Sequence, residues 1–375
     1  MRPSLAVTRG AGARSRYNSG QKGPGDSQQH HRWVQQVALA GHGVRRDQAG
    51  LTKSDTYETT VSVGRPVEGM IAISRLEGQQ DKAPGVAIVT GANSGIGRAT
   101  ALELAAAGFH VYATVRQSKS ADRLQELALA AGSHIDVVEM DVSSDSSVAA
   151  AVSKILSEVT TVDVLVNNAG VAGNGVVEES TVEQLEAVMN VNVYGALRCI
   201  KAVLPSMRAA SRGCVVNVSS VAGRLASLAQ APYVASKWAL EGLSEELAFE
   251  LAPFNIRVAI IEPGVTRTPI FAKNADVPDV SGPYRAHYRR MFQLYAVAIP
   301  VAADPFEVAR VIHRAVTSED PKLRYLVGWG AEQIAGGRRR MTDEEWVALG
   351  AATDDEEYYA DFERVFGIAI APSGG

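Results

Sequence analysis

Cysteine is nearly missing from this chain: only Cys199 and Cys214 occur among 375 residues. Two thiols, one in a helical stretch and one in a strand-like stretch, exclude a disulfide framework and fit reduced, packed side chains of a cytoplasmic protein. An excess of charge is missing too. The net charge is −4, with 21% charged residues, so nothing marks an electrostatic nucleic-acid binder, and Arg338-Arg339-Arg340 reads as a short solvated run. No uninterrupted apolar run approaches the length that spans a bilayer, so no transmembrane segment is expected. His30, His31 and His42 read as solvated side chains rather than ligands, and no metal is expected.

Acids are scarce at the start. The first 50 residues hold Asp26 and Asp47 against seven arginines and one lysine. The stretch "GAGARSRYNSGQKGPGDSQQHH" has little apolar periodicity and much Gly, Ser, Gln and Arg, the composition of disorder. A transit peptide fits that composition, and so does a true start at Met70, the favoured reading. Residues 1–80 are therefore read as a disordered extension or a mis-assigned start.

What the chain does have is alternation. A 46% hydrophobic share over this length allows one large domain or two average ones. From residue 85, strands are expected at Val86–Thr90, His110–Val115, Ile135–Met140, Val162–Asn167, Cys214–Ser219, Ile256–Glu262 and Leu323–Gly328. Helical patterns fall at about 97–107, 120–131, 145–158, 181–209, 231–252 and 304–318. That order builds right-handed βαβ units: an α/β fold of Rossmann type, with a doubly wound parallel sheet of about seven strands buried on both faces. Ser180 and Glu183 have capping-box spacing at the fourth helix. Residues 269–300 break the alternation, and 331–375 form an acidic, aromatic tail with short helices around "MTDEEW" and "DDEEYYADF".

In an open α/β sheet, ligands bind beyond the carboxyl ends of the strands. Those ends carry Gly91–Gly97, Arg116, Asp141, Asn168-Ala169-Gly170, Ser219-Ser220 and Pro263-Gly264. The first of them, "VTGANSGIGRAT" from Val89 to Thr100, follows an apolar run and opens a helix. A strand, a glycine turn and a helix start can receive a phosphate on free backbone N–H groups. Its spacing is G-x-x-x-G-x-G, however, not the G-x-G-x-x-G of the usual dinucleotide fingerprint. Further on, "YVASK" sets Tyr233 and Lys237 four apart, on one helix face. An unperturbed phenol titrates near ~10, and a neighbouring ammonium stabilises the phenolate and lowers that value toward acid/base work.

These residues together resemble a classical short-chain dehydrogenase/reductase over about residues 85–330, closest to the hydroxysteroid and retinol dehydrogenase branch. The resemblance rests on Thr90-Gly-Ala-Asn-Ser-Gly-Ile-Gly97, Asp141-Val142, Asn167-Asn-Ala-Gly170, Asn192 in "MNVNVYG", Ser220, Tyr233-x-x-x-Lys237, and Pro263-Gly264 with Thr268. It implies hydride transfer between a nicotinamide cofactor and a hydrophobic primary or secondary alcohol or its ketone or aldehyde. Tyr233 is then the general acid in reduction and the base in oxidation. Lys237 lowers its pKa and holds the nicotinamide ribose, Ser220 bonds the substrate oxygen, and Asn192 interrupts its helix and positions a water in a relay to Lys237. Ser219 as the working serine, and Asn192 as a merely structural group, stay open.

The resemblance also implies a cofactor site of Gly91, Asn93, Ser94, Gly95, Ile96, Gly97, Arg116, Asp141, Val142, Asn168, Ala169, Gly170, Tyr233, Lys237, Pro263, Gly264, Thr266 and Thr268. Asp141 and Val142 would meet the adenine, Asn168 its ribose, and Thr266 and Thr268 the carboxamide and phosphates. Arg116 follows the second strand where an acid would favour NAD, so NADP(H) is favoured and NAD(H) is possible. Ser94 stands where many NADP-preferring relatives carry a second basic residue. Within a catalytic domain of residues 81–330, residues 269–300 occupy the substrate lid, with Phe271, Tyr284, Tyr288, Met291, Phe292 and Tyr295 lining an apolar pocket or packing in two short helices. A small hydrophobic substrate, no nucleic acid and a homo-oligomer, dimer or tetramer, are the expected partners. The alternatives are an extended-type sugar-nucleotide epimerase, against which the glycine spacing argues, and a non-catalytic NADP sensor, against which the intact tyrosine and lysine argue.

Overall fold

In the computed structural model, the structure describes residues 85–271 and 282–372. The expectations for residues 1–80, and for 272–281 of the lid, lie outside the described residues. Seven strands, β1 (Val86–Thr90), β2 (His110–Val115), β3 (Ile135–Glu139), β4 (Val164–Asn167), β5 (Gly213–Val218), β6 (Ile256–Pro263) and β7 (Arg324–Val327), form one sheet. Every pair is parallel and the order is β3-β2-β1-β4-β5-β6-β7, with Ala87 paired to Val111 on one side and Val164 on the other. The winding reverses between β1 and β4, which opens a crevice at their carboxyl ends.

Strand alternation explains the two layers. Ala87, Val89, Val111, Ala113, Val164 and Val216 face a cluster with Ala101 and Leu104 of α1 (Gly95–Ala106), Leu124 of α2 (Asp122–Ala130), and Val308 and Ile312 of α8 (Pro305–Thr317). Their odd-even neighbours Ile88, Tyr112, Leu165 and Val215 face Val152 and Ile155 of α3 (Asp145–Glu158), Ile200 and Val203 of α5 (Gly195–Ala210), and Leu247 of α6 (Ala231–Leu251). Cys214 lies in the first layer and Cys199 in the second. Both are free and buried, and burial pushes their thiols up to about 11 and about 12 respectively.

The fourth helix, α4 (Val182–Met189), has its capping box one residue later than expected. Thr181 and Gln184 form it, while the Ser180 hydroxyl donates to Val176 O at 2.8 Å. A π-helical segment, Asn190–Tyr194, joins α4 to α5. The joined helix, Val182–Ala210, is long and apolar enough to cross a membrane by length and composition. Its Cys199, Ile200, Val203 and Met207 are spent on the sheet, as in a core helix.

Where two short helices were an option for residues 269–300, the described part holds one α-helix, α7 (Arg285–Ala298), followed by a 3₁₀ turn. Beyond β7 come α9 (Ala331–Arg340), α10 (Asp343–Ala351) and α11 (Asp355–Phe366). Thr342 caps α10 in a box with Glu345, and Asp354 accepts from the Glu356 and Glu357 N–H groups at the start of α11. These helices make a third apolar cluster of Leu225, Ile334, Leu349, Tyr358, Phe362, Phe366 and Ile370, against which Leu294 of α7 packs. The acidic tail is thus built into the body of the molecule. Arg290, 1% exposed, ties α7 to it. Its guanidinium donates to Asp355 Oδ1 at 2.9 Å and to Ala352 O at 2.8 Å, and lies 4.3 Å from the Tyr358 ring centre.

Candidate active site

The site begins where β1 ends. The Thr90 hydroxyl accepts from the backbone N–H groups of Asn168 and Ala169 at 3.0 and 2.9 Å, stitching β1 to β4. Gly91 turns the chain with φ +65°, and a Cβ there would lie 2.9 Å from the Ala169 Cα. Only glycine suits both demands. Ser94 is the N-cap of α1, makes no side-chain cap bond, and no acid occupies the first turn. The first N–H groups of α1 therefore stand free at the crevice, the geometry that holds a phosphate.

One cavity of about 750 Å³ gathers almost every expected residue. Gly91, Asn93, Ser94, Gly95, Ile96, Arg116, Asp141, Val142, Asn168, Ala169 and Gly170 line one part, with Ser220, Tyr233, Lys237, Pro263, Gly264, Thr266 and Thr268. Two expected residues are not among its walls. Gly97 lies beneath the loop, where a Cβ would come within 2.3 Å of Asn168 Nδ2 and 2.5 Å of Gly91 O, so it is a packing glycine. Asn192 sits in the π-helical segment with its amide fully engaged. Its Oδ1 accepts from Val171 N at 2.8 Å, and its Nδ2 donates to Val171 O at 3.0 Å and to the Ser236 hydroxyl at 2.9 Å. Asn168 is likewise committed: Nδ2 donates to Thr90 O at 2.8 Å.

Arg116 is exposed at the cavity wall past β2. Arg98, on α1, lies outside the wall, and burial and the nearby Arg123 lower its pKa. Asp141 Oδ1 accepts from the Ser143 hydroxyl at 2.7 Å and from its N–H at 2.9 Å, and these bonds hold its carboxyl below the usual range. An anionic acceptor results.

At the centre, Tyr233 and Lys237 rise from the first turns of α6. The Lys237 Nζ stands 5.5 Å from the Tyr233 ring centre and donates to Val218 O at 2.9 Å. Lys237 is 6% exposed, and burial brings its ammonium down to about 8 against the pull of Glu241. Burial pushes the Tyr233 phenol up, and a hydrogen bond with Ser220 opposes it. Ser219 also reaches the cavity, but its hydroxyl is buried without a hydrogen-bond partner, so Ser220 is the serine at the phenol.

The other half of the cavity is apolar: Leu225, Phe271, Leu294, Trp346, Tyr358 and Phe362. Of the six lid residues named from sequence, only Phe271 and Tyr295 reach it. Tyr284 bonds Glu178 instead, and the Tyr288 hydroxyl donates to Glu179 at 2.6 Å. Trp346, Tyr358 and Phe362 were not foreseen. The spacing of Tyr358, Tyr359, Phe362 and Phe366 was the available signal, since it marks one apolar helix face.

The sequence model of the short chain dehydrogenase family matches residues 85–278. The chain is 38% identical over 252 residues to YusZ, an uncharacterized oxidoreductase of Bacillus subtilis, covering 65% of this chain and 89% of that one. It is 36% identical over 255 residues to human retinol dehydrogenase 8, covering 64% of this chain and 81% of the relative. A metagenomic short-chain oxidoreductase solved in complex with NADP aligns with a TM-score of 0.53 at 30% identity, over 65% of this chain and 96% of that one. With a family match across more than half its length, and a glycine turn, tyrosine and lysine gathered at one crevice, the chain belongs to the short-chain dehydrogenase family.

Proposed function

We propose that this oxidoreductase uses NADP(H) to interconvert a hydrophobic alcohol and its ketone or aldehyde, with Tyr233 as the proton donor and acceptor. The observation that carries this reading is the cavity itself: Tyr233 and Ser220 share it with a glycine-rich, anion-receiving half and an apolar half. The first half fits a dinucleotide, because Gly91 and the uncapped N-terminus of α1 leave backbone room and free donors. When bound, the nicotinamide supplies or accepts the hydride. The loop of Gly91–Ile96 would hold the pyrophosphate, Arg116 the 2′-phosphate, and Asp141 with Val142 the adenine.

In reduction, the Tyr233 hydroxyl gives its proton to the carbonyl oxygen while Ser220 orients that oxygen. Lys237, anchored on Val218 O, keeps a positive charge beside the phenolate that remains. Asn192 acts through structure, tying Val171 to Ser236 of α6. The bound NADP of the metagenomic relative and the substrate named for retinol dehydrogenase 8 support the cofactor and substrate readings. Two buried, unpaired thiols support a reducing, cytoplasmic setting.

The test is a panel of steroids, retinoids, acyl ketones and aliphatic alcohols assayed with both cofactors, in wild type, Arg116→Asp and Arg98→Ala. A charge-assisted guanidinium–phosphate contact contributes about 1.5–3 kcal/mol, roughly ten- to over a hundred-fold in affinity. The NADP over NAD ratio of kcat/KM therefore inverts in Arg116→Asp and holds in Arg98→Ala. An unchanged ratio in Arg116→Asp would sink the role given to Arg116, and no turnover of any carbonyl or alcohol would sink the reading.

A further inference from the structure

Two buried carboxylates, one of them a helical turn from Lys237, share an arginine, and no step above uses them. Glu241 follows Lys237 by one helical turn on α6, and Glu262 precedes Pro263 on β6; they are 6% and 1% exposed. Neither lines the cavity. They share Arg324 of β7, whose Nε is 3.0 Å from Glu241 Oε2 and 3.6 Å from Glu262 Oε1. Arg224, in the turn after β5, stands 3.5 Å from the same Glu262 oxygen. Despite these cations, Oε1 of Glu241 and Oε1 of Glu262 are both buried without a hydrogen-bond partner. The space is tight: a Cβ at Gly223 would come within 2.8 Å of the Glu241 Cγ and 2.9 Å of the Ser219 hydroxyl.

Two carboxylates cannot satisfy each other, since both only accept. One proton between them turns one into a donor and cancels one of two adjacent negative charges. We infer that Glu241 and Glu262 hold a single proton between them and that the pair is a positioning device that keeps Lys237 charged. The second half of this rests on the proposed oxidoreductase reading; the first does not. The charged groups facing the pair are Lys237 and Glu245 from α6, Arg224 from the turn after β5, and Arg324 from β7. Burial first, and Glu241 second, push the Glu262 carboxyl up to about 7, and Glu241 raises the Lys237 ammonium against its burial. Above that pH the pair gains its second negative charge, which holds the Lys237 proton more firmly.

Infrared titration of the whole protein reads the pair without any substrate. In wild type a protonated carboxylic acid band persists toward pH 7 and is lost in both Glu262→Gln and Glu241→Gln. Melting supplies a second readout. The folded carboxyl holds its proton up to about 7, whereas the unfolded one releases it near ~4.3, so native stability falls as pH rises through that window. Glu262→Gln lacks this dependence, and its Tm relative to wild type climbs across the same window. For Lys237, the pH profile of kcat/KM is measured with the carbonyl that the panel turns over fastest. Its alkaline limb moves to lower pH in Glu241→Gln and returns in Glu241→Asp. No acid band in wild type, or the same band in both Gln variants, overturns the shared proton; an unmoved limb in Glu241→Gln overturns the link to Lys237. If no carbonyl is turned over, the oxidoreductase reading fails while the infrared and melting results still decide the pair.

Discussion

At Tyr233 the phenol is under two opposed influences, burial raising its pKa and the Ser220 hydrogen bond lowering it. Oxidation of an alcohol needs the phenolate, so whatever raises the phenol delays the rise of that rate with pH. Ser220→Ala removes the stabilising bond. The acidic limb of the oxidation profile is expected to move to higher pH, while NADPH binding, followed by nicotinamide fluorescence, stays near wild type. Tyr233→Phe keeps the ring and loses the transferable proton, and turnover falls about a hundred- to ten-thousand-fold. A Ser220→Ala profile that superimposes on wild type would show that the serine acts on the substrate oxygen alone.

Elements were legible in the sequence where local signals suffice. The runs at Val86–Thr90 and His110–Val115 are strands with those same bounds, because apolar runs between turn residues report a doubly buried strand directly. The fourth strand starts at Val164 rather than Val162, and the Asp163 side chain just before it accepts from Val86 N at 2.8 Å and from Arg212 at 2.7 Å. The glycine turn and the Tyr233–Lys237 spacing were legible for the same local reason. The apolar wall was not, because Trp346, Tyr358 and Phe362 reach the cavity only through packing between α7, α10 and α11, which no single stretch encodes. Arg290 joins those elements. Arg290→Leu leaves the Ala352 carbonyl and one Asp355 bond unmet, and breaking a buried pair of this kind costs about 3 kcal/mol. Urea unfolding is expected to show that loss. Because α7 carries Leu294 and Tyr295 to the cavity, KM for an apolar substrate rises more than kcat falls. Stability within about 0.5 kcal/mol of wild type would mean that the clamp does not hold the lid helix.

For the whole molecule, the question is whether the helices beyond β7 are an appendage or part of the fold. Tyr358, Phe362, Phe366 and Ile370 are all buried in the third apolar cluster, facing Leu225 and Leu294 from before β7 and Ile334 of α9. Burying a side chain of this size contributes about 1.5–3 kcal/mol, so four of them account for roughly 6–12 kcal/mol as an upper bound. That equals the whole stability of an ordinary domain, about 5–15 kcal/mol. Ending the chain after Arg340 is therefore expected to give protein that aggregates rather than a soluble core with a trimmed edge. Phe362→Ala separates folding from substrate contact. It creates a void costing about 3–5 kcal/mol, so the variant should fold with a lower Tm. Because Phe362 also lines the apolar half of the cavity, kcat/KM should shift toward bulkier alcohols or ketones, while the NADP over NAD ratio set at Arg116 stays fixed. A truncated chain that remained soluble, with the melting temperature and substrate preference of the full one, would show that the cluster closes over the cavity without supporting it.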